Sequence, residues 1–192
     1  MKETTDRTKK LFILVPTFGI LIFCVCYFIA TKFYSGGSHS DKFSVGFDWL
    51  NNYWCDLIGE LAMNGQPNKA RPIALFAMSV LSFALSIFWW ILPRLFEEKK
   101  FFFLIRYIGV TSLVILLFLF TSYHDLIINI SGTLGIVALT LTFYRLYKTR
   151  HFRLFTYGVF CLFLMLLNYF IYTTGIFISA LAIIQKLTFV FF

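Results

Sequence analysis

Charge is confined to short gaps between long apolar runs, and this alternation constrains the chain more than any single motif. A bilayer-spanning helix needs roughly 20 mostly apolar residues. Six runs of about that length occur, at 11–31, 72–93, 101–122, 125–144, 153–172 and 175–192. They occupy nearly all of the 192 residues, leaving no room for a separate soluble domain. Composition agrees, since 59% of residues are hydrophobic and 14% charged, against about 25% charged in soluble domains. The expected fold is all-α, a polytopic transmembrane helical bundle of six spans forming one domain over 1–192.

The sign of the charges orients the spans. With the N-terminus inside, the tail (Lys2, Arg7, Lys9, Lys10), the second gap (Arg94, Lys99, Lys100, with Arg106 just beyond it) and the fourth gap (Arg145, Lys148, Arg150, Arg153) hold 12 of the 17 basic residues. The opposite side holds Lys32, Lys42, Lys69 and Arg71. Basic residues stay cytoplasmic, so both termini are expected inside, in the plasma (inner) membrane of a prokaryote. Each basic residue near anionic headgroups contributes about 1 kcal/mol. That accounts for the net charge of +8 without a nucleic-acid partner. The first run is longer than the roughly 7–15 residues of a signal-peptide core and lacks an Ala-x-Ala site, so it reads as a retained anchor.

The long gap 32–71 opens with the polar stretch Ser35-Gly36-Gly37-Ser38-His39-Ser40-Asp41. From Phe47 onward Leu50, Trp54, Leu57, Ile58 and Leu61 recur at helical spacing, opposite the row Asp48, Asn52, Asp56, Glu60. That periodicity predicts an amphipathic interfacial helix over 47–63, with the polar row most simply its solvated face. Two stripes of small residues, Ser79/Ser82/Ser86 and Ser131/Gly135/Ala138/Thr142, suit close helix contact. Asn168 suits an interhelical hydrogen bond, and Lys186 reads as a snorkelling lysine in the cytoplasmic half of the last span.

Polar residues on the outer side form the one candidate binding region: Asn52, Asp56, Glu60, Asn68, Arg71, His124, Asp125 and Asn129. An ionisable residue at the edge of a span is costly unless paired or facing water, which makes such positions functional candidates. Asp56 and Asp125 could each pair with Arg71, with His124 titrating nearby. The simpler reading of His124-Asp125 is a cap on the following helix. No hydrolase, metalloprotease, phosphate-loop or dinucleotide motif occurs. The histidines His39, His124 and His151 do not suit a three-histidine zinc site, and no span has a central histidine for haem. The four cysteines lack metal or disulfide spacing. No cofactor and no metal are expected.

The stretch Asn52-Tyr53-Trp54-Cys55-Asp56-Leu57-Ile58-Gly59, with Asn68, Phe76 and His124-Asp125, resembles the Asn-x-x-Ser-Asp-Leu-Gly signature of the domain-of-unknown-function 998 family. These are six-span prokaryotic membrane proteins whose layout the Frag1/DRAM-like proteins share. Cys55 stands where that signature has Ser, and Ile58 is inserted before Gly59. The resemblance implies a helical bundle with a polar outward pocket and no assigned reaction. The expected role is to bind a lipid, a small ligand or another membrane protein there. The alternative is a membrane enzyme acting on a lipid or lipid-linked substrate, with His124 as general base and Asp56 or Asp125 orienting it or holding a metal. A small transporter ranks last, because few polar groups lie near the midplane.

Overall fold

The computed structural model describes residues 2–96 and 101–191, excluding the side chains of residues 2–13 and of Leu95. The basic side chains of Lys2, Arg7, Lys9 and Lys10, the pair Lys99–Lys100 and the end of the last expected span at Phe192 thus lie outside the described residues. Among the described residues six α-helices follow in order: α1 (Lys2–Phe33), α2 (Arg71–Ile91), α3 (Phe102–Leu116), α4 (His124–Lys148), α5 (Phe152–Thr174) and α6 (Ile178–Phe191). Among the described residues there is no strand, only an isolated bridge between Leu61 and Pro67.

Among the described residues four helices are long and apolar enough to cross a membrane: Leu14–Phe33, Arg71–Arg94, His124–Lys148 and Phe152–Thr174. Their outer surfaces are apolar, as lipid contact requires. On α1 Leu14, Phe18, Leu21, Val25 and Phe28 are exposed at helical spacing, and on α5 Phe160, Phe163, Leu166 and Phe170. Helices α3 and α6, of 15 and 14 residues, extend only about 21–23 Å at 1.5 Å per residue, against a hydrocarbon core of about 30 Å. The run 101–122 is therefore not one helix. Regular helix ends at Leu116, and successive tight bonds (Phe118 N–H to Ile115, Leu119 to Leu116, Thr121 to Phe118) carry the chain to α4.

The chain forms two compact units, Met1–Val25 with Phe76–Arg150 and Cys26–Leu75 with His151–Phe192. In the first, α3 and α4 are clasped by a reciprocal serine pair. Ser112 Oγ donates to the Ser131 carbonyl at 2.8 Å, and Ser131 Oγ returns the bond to the Ser112 carbonyl at 2.9 Å. Ser131, Ala138 and Thr142 are buried, so this small-residue stripe makes the contact that its composition suggests. Gly109 of α3 lies against the Trp89 indole, where any Cβ would collide with the ring. Arg106, buried in the same unit, stacks over Trp90 and Phe102 with its guanidinium carbon 4.4 and 4.2 Å from the ring centres, a cation–π arrangement. Replacing either Ser112 or Ser131 by Ala is expected to cost about 0.6–1.7 kcal/mol. The double variant should cost roughly the sum of the two, because each hydroxyl donates to a backbone carbonyl that the other substitution leaves in place. A double cost well below the sum in a detergent denaturation series would show that the two serines act as one unit.

In the second unit α5 and α6 form an antiparallel hairpin. Asn168 reaches across to Thr188 and to the Ile184 carbonyl, and Tyr157 and Cys161 both donate to the Phe191 carbonyl. Asn168 thus makes the interhelical bond expected of it. The rest of the unit is the segment between α1 and α2 with the helix ends that flank it, and in that segment the structure departs from expectation. The 47–63 stretch is not an interfacial helix: it is a chain of turns with one 3-10 turn at Trp54–Leu57. Its Asn and Asp side chains bond the local backbone, offering N–H groups an alternative to the helical ladder.

Candidate functional site

Segment 34–70 is held together by its own polar side chains. The Asp48 carboxylate accepts from the Leu50 and Asn51 N–H groups at 2.9 and 3.2 Å and from the Asn51 amide at 2.7 Å. The Asn51 amide accordingly holds the Asp48 carboxyl below the usual carboxylate range. Asn52, fully buried, accepts from the Asp48 N–H at 2.8 Å and donates to the Gly37 carbonyl at 3.0 Å and to Asp56 Oδ2 at 2.9 Å. The polar row 48–52–56 is therefore not a solvated helix face; its members bond to one another in the interior of the turn. Gly37 has φ of +82° and faces the Asn64 backbone so closely that no Cβ fits.

Asn68 performs the second stapling. Its amide donates to the carbonyls of Asp56 (2.9 Å), Leu57 (3.2 Å) and Gly59 (3.0 Å), while its oxygen accepts from the Ala70 N–H at 3.1 Å. One buried side chain thus caps the end of the 3-10 turn and fixes the approach to α2. Near it Arg71 pairs with the exposed Glu60 at 3.2 Å, a pairing worth about 0–1 kcal/mol at a surface.

The segment lies alongside helices rather than beyond their ends. The Trp54 N–H donates to Gln185 Oε1 at 2.8 Å, and Lys186 Nζ donates to the Asn52 carbonyl at 2.5 Å and to its own helix at Ala182. Gln185 and Lys186 are two turns into α6, about 11–12 Å from its start. Tyr27, whose ring meets Trp54 edge-on at 5.2 Å, is a similar distance back from the end of α1. Irregular backbone packed against such apolar helices needs its polar groups satisfied by protein, which explains the density of Asn and Asp. Phe47, Trp49 and Trp54 pack ring against ring, with Lys186 Nζ 5.6 and 5.9 Å from the centres of Phe47 and Trp54. Lys186 does not snorkel; its ammonium holds the segment.

Toward the exposed edge Asp56 meets a histidine that sequence reasoning did not connect with it. His39 Nε2 lies 3.4 Å from Asp56 Oδ1, and the His39 ring lies against Tyr53 at 4.1 Å. The other Asp56 oxygen is fixed by the Asn52 amide and by the Tyr53 N–H at 2.8 Å. The candidates of the other unit make their own constellation: His124 Nδ1 lies 3.1 Å from Asp125 Oδ1, and Asn129 donates to the Asp125 carbonyl at 2.8 Å. Among the described residues no three His, Cys, Asp or Glu side chains gather in a group suited to hold a metal ion. His39, Gln185 and Lys186 were the residues missed. The signal for the last two was an amide and an amine side by side inside an otherwise apolar helix.

Cys55 sits beneath this edge. Burial, with Asp56's charge adding to it, pushes its thiol up to about 12, above the ordinary value of about 8.5. The folded state keeps the thiol neutral while the unfolded chain can ionise it. Stability is thus expected to fall from about pH 8.5 upward, toward the folded value. A maleimide at neutral pH is expected to label Cys55, which is half-buried, slowly in the native protein and faster after denaturation; native labelling as fast as in the denatured chain would contradict the raised thiol value. Sidedness is therefore better probed with a cysteine placed at the exposed Lys69. Comparison with known proteins gives no matching family model, no curated relative and no similar solved structure.

Proposed function

We propose that this chain is a six-span membrane protein of the prokaryotic inner membrane, with both termini cytoplasmic, that binds a lipid headgroup or small polar ligand at the outward face of segment 34–70. In this reading α3 and α6, with their flanking turns, complete the six crossings, and the resemblance to the domain-of-unknown-function 998 family is one of kinship. The observation that carries the proposal is Lys186. An ionisable residue inside an apolar helix is costly and ordinarily tied to a task. Here it joins α6 to a segment whose edge offers His39, Tyr53 and Asp56 together. Mass spectrometry of the protein released from native membranes tests it. A specific bound lipid or small molecule, lost on Asp56→Asn and His39→Ala, is expected; identical adducts in wild type and both variants would end the reading.

A second reading, a membrane enzyme acting on a lipid or lipid-linked substrate, draws on two histidine–carboxylate contacts among the described residues, His39 with Asp56 and His124 with Asp125. A carboxylate that orients one imidazole nitrogen leaves the other available for proton transfer. Turnover of a lipid panel that is abolished by His124→Ala or His39→Ala would favour this reading over simple binding.

A further inference from the structure

We infer that the turn Lys42–Phe43–Ser44–Val45 is a bilayer anchor, inserting its two apolar side chains into the leaflet at the level where α1 ends. Phe43 is 92% and Val45 98% exposed, more than any other large apolar side chain described. This exposure is built, not a consequence of slack. The Gly37 N–H donates to the Ser44 carbonyl at 2.8 Å, the Ser38 N–H to the Asp41 carbonyl at 2.8 Å, and the Phe43 N–H to Asp41 Oδ1 at 2.8 Å, while Ser44 Oγ also bonds the Asp41 carbonyl at 3.0 Å. A turn held by these bonds thus keeps Phe43 and Val45 clear of the rest of the protein.

Height and size decide what covers them. The bond from Gly37 ties the turn to a residue four positions beyond Phe33, where the apolar span of α1 ends. Four residues of chain reach at most about 14 Å, and the headgroup layer on each side of the hydrocarbon core is about 5–8 Å deep. The turn is therefore tethered within reach of the interface. A specific protein interface needs about 800 Å² per partner, whereas an aromatic side chain supplies about 150–250 Å² and valine less. Two such side chains fall well short of a protein-docking face, but insertion into lipid has no minimum area. Lys42 adds a flexible stem that lies along acyl chains while its ammonium meets phosphate.

The test replaces Phe43 by p-benzoylphenylalanine, a photocrosslinker of similar shape, in the full chain reconstituted into phosphatidylcholine–phosphatidylglycerol vesicles. The same replacement at Val45 guards against a local effect at one position. On irradiation the intact mass is expected to shift by one phospholipid at both positions. Crosslinking chiefly to a second polypeptide, a copy of this chain included, would overturn the inference. So would a properly reconstituted protein that gains no lipid at either position.

Discussion

Asn68→Ala is expected to collapse the turn system of segment 34–70, at a cost of about 2–4 kcal/mol. The side chain is buried and its amide serves three carbonyls, those of Asp56, Leu57 and Gly59. A hydrogen bond contributes about 0.5–1.5 kcal/mol net, and a buried group left without its partner costs about 1–3 kcal/mol. Alanine removes this donor from all three carbonyls at once. Asn68→Asp is the sharper variant. It keeps the shape and the acceptor for the Ala70 N–H, but turns a carboxylate oxygen toward carbonyl oxygens. It should therefore be at least as damaging as alanine. Denaturation in detergent followed by tryptophan fluorescence reads the event, because Trp49 and Trp54 sit in the affected segment. A variant that unfolds with the wild type would show that Asn68 carries no structural weight.

Lys186→Met is the second expected large effect, about 1.5–3 kcal/mol, the range for a hydrogen bond to a charged group. The sign is what makes it informative. A lysine that merely snorkels from an apolar helix should tolerate methionine or gain from it, since the helix becomes more apolar. Here the ammonium donates to the Asn52 carbonyl and lies over Phe47 and Trp54, and losing it leaves that carbonyl unpaired. Lys186→Arg should rescue poorly, because a planar fork does not replace a point donor aimed at one carbonyl. A double-mutant cycle of Lys186→Met with Phe47→Leu isolates the ring contact, with coupling expected near 0.5–1 kcal/mol. Stability unchanged in Lys186→Met would restore the snorkelling interpretation.

These predictions concern the positions that were hardest to place from sequence. Asn52, Asp56 and Glu60 fall at helical spacing, and spacing alone cannot distinguish a solvated helix face from side chains folded inward. The partners that decide it are remote: Gly37 lies 15 residues before Asn52, and Gln185 lies 131 residues after Trp54. His39 looked like part of a flexible Ser/Gly stretch, and only the folding of that stretch onto Tyr53 brings it to Asp56. By contrast, the Ser131/Gly135/Ala138/Thr142 stripe and the interhelical role of Asn168 were legible, because each depends on the face a side chain occupies on a single helix.

The sequence alone determined that the chain is helical and membrane-embedded. Apolar length and the exclusion of charge are local quantities, and a bilayer responds to them run by run. It also offered Asn52, Asp56, Asn68 and Arg71 as candidates. Tertiary structure decided what each of them contacts: Asn52 and Asn68 satisfy backbone, Arg71 meets Glu60, and Asp56 faces His39. It also turned Lys186 from an isolated charge into the tie between α6 and segment 34–70. The reason is physical. Buried polar groups must find partners wherever the fold supplies them, and those partners are chosen by proximity in space, which no periodicity along the chain records.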